Sequence, residues 1–171
     1  MAEKLSCTIF RLEYSSSNIN ALQDLFTKSP SYFLRSGGEP ARHDEGQKIF
    51  DEIPPDISVA DKYVFGFYYD NELIGCADIV NGFPDESRAY IGLLLIAEDR
   101  QGEGFGRMVY SLLELEVKKW SLVSTIRLAV VRSNSKAIPF WLNCGFHLTG
   151  EVRPFKFGRN DTEALLMEKQ L

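Results

Sequence analysis

Three glycines at alternate positions mark the stretch of this chain best suited to hold a ligand. Gly102, Gly104 and Gly106 fall within residues 101–108 (Gln101, Gly102, Glu103, Gly104, Phe105, Gly106, Arg107, Met108), between an apolar run that ends near Ile96 and a stretch of helical spacing. Glycine lets a backbone turn sharply and come close to a ligand. A helix opening at about Gly104 leaves its first N–H groups unpaired, and its dipole adds partial positive charge there. Together these suit a pyrophosphate. Two familiar phosphate loops do not match. A dinucleotide fingerprint needs Gly-x-Gly-x-x-Gly opening a βαβ unit, and a P-loop needs Gly-Lys-Ser/Thr. From the loop alone, a connector that binds nothing stays an alternative.

Acid–base candidates are sparser. Asp78 falls on a predicted strand, Asp85 and Glu86 in the loop after it, and Tyr90 early in the next strand. Each carboxylate also reads as a solvated charge. Cys144 lies near His147, but no third group supports the pair and a core thiol is the simpler reading. The three cysteines, Cys7, Cys76 and Cys144, are far apart, and the histidines, His43 and His147, are isolated. This spacing predicts buried reduced thiols and neither a disulfide framework nor a metal site. No Gly-x-Ser-x-Gly elbow is present.

The elements that position these residues alternate in kind. Residues 5–12 read as a strand, with Leu5, Cys7 and Ile9 alternating against polar neighbours. Asn18 is placed to cap a helix carrying Ile19, Leu22, Leu25 and Phe26. A second helix is expected over residues 40–50, inside a loop-rich segment, residues 29–55. Residues 63–69 and 73–80 form a hairpin about Asp70-Asn71. Residues 89–96 read as a central strand buried on both faces. A helix then runs from the glycine loop to Trp120, followed by a strand over residues 125–131 and a short helix over 135–143 ended by Gly145. Residues 147–157 and 162–171 close the chain as an antiparallel pair. The order β-α-α-β-β-β-α-β-α-β-β predicts an α/β (α+β) fold, with a mixed, mostly antiparallel sheet of about seven strands and helices on both faces.

Composition narrows the function classes. A chain of 171 residues, 44% apolar and 25% charged, suits one globular domain over its whole length. The net charge of -5 disfavours nucleic-acid binding and assigns the aromatic cluster of residues 63–69 to strand packing. The longest apolar run, residues 91–97, is too short to span a bilayer, and residues 1–10 carry no targeting signal, which points to the cytoplasm.

Two motifs in order resemble the GNAT superfamily of N-acetyltransferases. The family's loop, Arg/Gln-x-x-Gly-x-Gly/Ala at a strand–helix junction, is matched by Gln101 to Gly106. Its second element, an Asn, an Ala three residues on, an aromatic and then Gly-Phe, is matched by Asn134, Ala137, Trp141, Gly145 and Phe146. The resemblance implies acetyl-CoA as acyl donor. It places the pantetheine arm on free backbone groups of Leu94, Leu95 and Ile96, beside Phe140 and Trp141, and the pyrophosphate on residues 101–108, with Arg107 adding charge. Asn134 would tie the cofactor or cap the short helix before Ser135. A homodimer is common in such folds.

The chain departs from the family's pattern at two positions. Where many members carry a glutamate base this sequence has Tyr90, and where many carry a tyrosine acid it has Trp141, which cannot return a proton. Asp78, Glu86, or Tyr90 through water remain as candidate proton acceptors. The expected activity is direct transfer of an acetyl group to a primary amine of a small molecule. The alternatives are a protein or peptide N-acetyltransferase and a non-catalytic acyl-CoA sensor. A peptide acceptor needs an open groove and a small amine a closed pocket, built partly by residues 29–55.

Overall fold

The computed structural model describes residues 6–171. Strand β1 (Thr8–Arg11) is followed by three helices, α1 (Ser16–Thr27), α2 (Pro30–Gly37) and α3 (Glu45–Asp51). Then come β2 (Lys62–Tyr69), β3 (Glu72–Asn81), β4 (Arg88–Ile96), α4 (Phe105–Val117), β5 (Thr125–Val131), α5 (Ala137–Asn143), β6 (His147–Phe157) and β7 (Asn160–Gln170). The seven strands form one sheet in the order β1-β2-β3-β4-β5-β7-β6, and only the β4–β5 pair is parallel. Leu5 of the expected first strand lies outside the described residues.

Side-chain alternation divides the core between the two faces of the sheet. On one face, Phe65, Phe67, Ala77, Ile79, Ile91 and Leu128 pack against Phe105, Val109 and Leu113 of α4 and Trp141 of α5. On the other, Val64, Cys76 and Leu95 pack against Leu22, Leu25 and Phe26 of α1, Phe33 of α2 and Ile49 of α3. Asp70 and Asn71 both take positive φ, 49° and 64°, as a two-residue hairpin turn requires.

Several boundaries differ from the sequence reading. Ser15, not Asn18, caps α1, and its side chain accepts from Asn18 N–H. The helix expected over residues 40–50 is α3, which starts only at Glu45, and the structure adds α2 before it, which starts on Pro30 at its first turn and stops at left-handed Gly38. Helix α4 ends at Val117, and the chain reaches Trp120 through tighter turns that seat its indole 4.7 Å from the Tyr63 ring. Asn134 caps no helix: it ends a 3-10 turn, Arg132–Asn134, and α5 starts only at Ala137. Strand β4 is central, but it is not buried along its length. Ala89, Ile91 and Leu95 are buried, Leu93 and Leu94 half-buried, and Gly92 is exposed.

Candidate functional site

The exposed glycine marks a defect in the sheet. Between β3 and β4 the register jumps from Asp78↔Leu93 to Ile79↔Ile91, so Gly92 is an extra, bulged residue. On its other edge β4 pairs with β5 only from Arg88↔Thr125 to Ile91↔Leu128. Beyond Ile91 the two strands part. The hydrogen bond from Ala97 N–H to Ile74 O fixes which groups face the gap: odd residues turn toward β3, and Leu94 and Ile96 turn toward the missing partner. Gln101 Nε2 donates to Ile96 O at 2.9 Å, which leaves the Leu94 N–H and C=O as the open pair. Leu94 and Ile96 thus turn backbone groups toward the gap, whereas the Leu95 backbone is not free as expected but lies in the β3 ladder.

A cleft of about 590 Å³ follows this gap. Leu94, Leu95 and Ile96 line it from β4, and Gln101, Gly102, Gly104, Gly106 and Arg107 from the loop and α4. Asn134, Phe140 and Trp141 close its far wall. Three of the expected residues do not line it. Glu103 stands outside, Phe105 is buried with its ring 5.1 Å from that of Tyr69, and Met108 packs into the core. The structure adds Tyr32 and Arg35 from α2, and Lys136 and Cys144 from the α5 region. Only the cations Arg35 and Lys136 had a readable signal, their charge, and nothing in the sequence alone sets α2 across the gap.

The electrostatics of the cleft run against those of the chain. Arg35, Arg107 and Lys136 line it, no carboxylate does, and none of the three has an ion-pair partner among the described residues. Arg35 Nε is buried without a hydrogen-bond partner. Gly102 and Gly104 take φ of 84° and 90°, where side chains are strained, and a Cβ on either would meet nothing within 4 Å. Helix α4 has no side-chain cap and no acidic residue in its first turn. Open space, unpaired N–H groups, the helix dipole and three cations fit a multiply charged phosphate ligand. Gly106 serves packing instead: its added Cβ would come within 3.1 Å of the Phe140 ring.

The titratable candidates separate clearly. Cys144 lines the cleft, but burial pushes its thiol up, away from the nucleophilic thiolate. Glu86 is exposed on the β3–β4 loop, and Asp85 is engaged by Ser87 and Arg88. Tyr90 meets Phe83 edge-on with ring centroids 5.5 Å apart, and burial raises its phenol further. Trp141 is buried in an aromatic cluster with Tyr110, Phe140 and Phe146.

Asp78 is placed differently. Its Oδ1 lies 2.6 Å from Lys62 Nζ, an ionic contact rather than an aligned hydrogen bond. Its Oδ2 lies 2.8 Å from where a Cβ on Gly92 would stand, over the bulge. Burial pushes the carboxyl up to about 6 against the opposing pull of Lys62. Tyr32, whose phenol burial pushes up to about 12, lines the cleft, and Asp78 does not.

Comparison with known proteins gives this geometry a family. Residues 19–146, three quarters of the chain, match the model of the acetyltransferase (GNAT) family. The chain belongs to that family. Solved GNAT structures align over almost its whole length. An acetyltransferase from Thermus thermophilus is 25% identical, with a TM-score of 0.74 over 96% of this chain and 97% of that one. A spermidine N-acetyltransferase from Vibrio cholerae, in complex with CoA and spermine, is 20% identical, with a TM-score of 0.72 over 96% and 95%. The ribosomal-protein-S18-alanine N-acetyltransferase from Escherichia coli is 17% identical, with a TM-score of 0.70 over 96% and 94%. No curated protein matches significantly. This GNAT protein is accordingly an N-acetyltransferase with acetyl-CoA as its acyl donor, and the expected fold of seven strands with helices on both faces holds. Among the described residues no helix is long and apolar enough to cross a membrane.

Proposed function

We propose that this GNAT domain transfers the acetyl group directly to the primary amine of a small molecule, with Asp78 taking the amine proton. The observation that carries the acceptor class is the closure of α2 against the β6–β7 hairpin. Arg159 N–H donates to Gly37 O at 2.8 Å, and Asn160 Nδ2 donates to Ser36 O at 3.0 Å. Gly158 packs so closely that a Cβ there would meet Gly37 O at 2.5 Å. At its other end α2 is held by Glu98, which accepts from Ser31 N–H at 3.0 Å and from the Ser31 hydroxyl at 2.6 Å. Main-chain contact between helix and hairpin supports a closed acceptor pocket over an open peptide groove. The fold accommodates small amines, since one protein that shares it is a spermidine N-acetyltransferase.

The residues divide the work. Acetyl-CoA supplies an acyl group activated as a thioester. The α4 N-terminus and the glycine loop hold its pyrophosphate, and Arg35, Arg107 and Lys136 balance the phosphate charge. The Leu94 N–H and C=O bind the pantetheine arm across the gap, beside Phe140, Trp141 and Asn134. Asp78 Oδ2 takes a proton from the bound ammonium group. The freed amine nitrogen forms a C–N bond to the acyl carbon, and the C–S bond breaks. The acylated nitrogen gives up its second proton to solvent, and the sulfur leaves as thiolate, an adequate leaving group with a pKa of about 8.5, which then takes a proton from solvent. Trp141 packs and transfers no proton. A carboxyl held near 6 is ionised at neutral pH yet still basic enough to serve. We also read the chain as one domain, since both clusters share one sheet, and as cytoplasmic, since three free thiols suit a reducing compartment.

A CoA-release assay over diamines, polyamines, aromatic amines, amino acids and N-terminal peptides tests this. Small amines should turn over, peptides should not, and Asp78→Asn should lower kcat by about 10²–10⁴-fold. Turnover confined to peptides would refute the acceptor class, and full activity in Asp78→Asn would refute the base.

A further inference from the structure

We propose that Lys62 is a positioning residue for the transfer step: it anchors one oxygen of Asp78, so that the other faces the bulge at Gly92 in its ionised form. This rests on Asp78 being the proton acceptor. Lys62 is the first residue of β2, and its side chain is only 5% exposed. A buried ammonium group needs both charge balance and hydrogen-bond acceptors. It has two partners, Asp78 Oδ1 at 2.6 Å and the Glu52 carbonyl oxygen, to which it donates at 2.8 Å. The Glu52 carbonyl ends α3, so the ammonium is fixed from the helical layer as well as from the sheet.

This arrangement does more than neutralise charge. An Asp side chain turns about two bonds, and a single tether on Oδ1 settles where Oδ2 points. Oδ2 has no hydrogen-bond partner among the described residues and faces Gly92, the exposed residue of the strand. The other groups around Asp78 all oppose its charge or leave it unbalanced. Cys76 lies two residues back on the same face, Tyr32 comes from α2, Glu45 faces Tyr32 from α3, and Glu52 follows α3. Lys62 is the cation that acts on Asp78 in this set. Without it, burial and the Glu52 carboxylate would favour the protonated form of Asp78, and a protonated carboxyl takes no proton from an ammonium group.

The test is the pH dependence of kcat/KM for the best small amine of the panel, at saturating acetyl-CoA, in wild type, Lys62→Met, Lys62→Gln and Lys62→Arg. Lys62→Gln keeps a donor for the Glu52 carbonyl and guards against a Met variant that fails to fold. Loss of the opposite charge should move the acid limb upward by about 1–3 pH units in the neutral variants. Lys62→Arg should return it toward the wild-type position. The KM for acetyl-CoA should stay within about twofold, since no part of the cleft is touched. ¹³C-carboxyl NMR of Asp78 in Lys62→Gln should report the same upward displacement without any acceptor. An acid limb and a carboxyl titration left in place in folded neutral variants would overturn the role of Lys62 alone. If Asp78→Asn is also fully active, the base assignment itself falls.

Discussion

Substituting Gly92 by alanine puts one methyl group where the proposed chemistry takes place. The new Cβ would stand 2.8 Å from Asp78 Oδ2 and 3.3 Å from its Cγ, about 0.6 Å inside ordinary contact for the nearer atom. The backbone at Gly92 is not in the left-handed region, so the cost is steric rather than conformational. A free carboxylate would swing aside. Asp78 cannot do so cheaply, because its other oxygen is held 2.6 Å from Lys62. Over-packing of this kind costs roughly 1–3 kcal/mol, and the variant should fold with a lowered Tm. The effect on catalysis should be larger, because a displacement near 1 Å in a reacting group costs on the order of 10²-fold. We therefore expect kcat/KM for the amine to fall about 10²-fold, with the KM for acetyl-CoA nearly unchanged. Steady-state CoA release with each substrate varied separately, alongside thermal melts, reads all three quantities. A folded Gly92→Ala enzyme with wild-type kcat/KM for its amine would show that the acceptor does not approach the bulge, and the role of Asp78 would go with it.

Gly104→Val places a branched side chain at φ 90°, in open space where the phosphate is proposed to sit. It should raise the KM for acetyl-CoA at a stability cost of roughly 1–3 kcal/mol, and unchanged kinetics would put the cofactor elsewhere. Trp141→Phe should keep most of the turnover and lose stability, because the indole packs among three aromatic rings. A loss of several orders of magnitude in kcat with acetyl-CoA affinity intact would give the indole a catalytic role. The raised Asp78 pKa also predicts a stability profile. Between its unfolded value near 3.8 and its folded value of about 6 the native state holds the extra proton, so its contribution to stability falls as pH rises through that window and is flat above it. A rise of that size is worth on the order of a few kcal/mol. Melting temperatures of wild type and Asp78→Asn from pH 4 to 7 should diverge accordingly, and parallel curves would contradict the raised pKa.

Local signals in the sequence located the parts that depend on neighbours in the chain. Thr125 to Val131 reads as a strand from β-branched and apolar residues, and that is where β5 lies. The glycine loop, the Asp70-Asn71 turn and the helical spacing of Val109, Leu113 and Val117 were legible for the same reason. Helix α2 had a signal that competed with another: Pro30 starts a helix and Gly38 stops one, but the polar composition of the segment reads as loop. Gly92 also left a mark, since a glycine inside an apolar strand is a sign of a bulge. The Lys62–Asp78 pair left none. Counting back from a regular two-residue turn sets Asp78 opposite Tyr63. The shift between Phe67 and Tyr68 sets it opposite Val64 instead, and this brings Lys62 onto the same face. A one-residue irregularity, decided by packing on both sides of the sheet, is beyond local pattern reading.

Two bulges thus carry the proposed chemistry between them. The first, in the β2–β3 hairpin, turns Lys62 toward Asp78. The second, at Gly92, does two things at once. It ends the β4–β5 ladder, which frees the Leu94 backbone for the acyl donor, and it removes the side chain that would cover Asp78 Oδ2. The side chains of Leu94 and Ile96 belong to the α4–α5 face, while Asp78 shares a face with Lys62, Val64 and Cys76 on the side of α1–α3. On the proposed reading the donor therefore enters from one face and the amine from the other, and they meet in a gap one strand thick. That thickness supports the proposal of direct transfer. The two substrates need no covalent carrier to bridge a distance, and Cys144, the thiol nearest the cleft, is kept protonated by its burial.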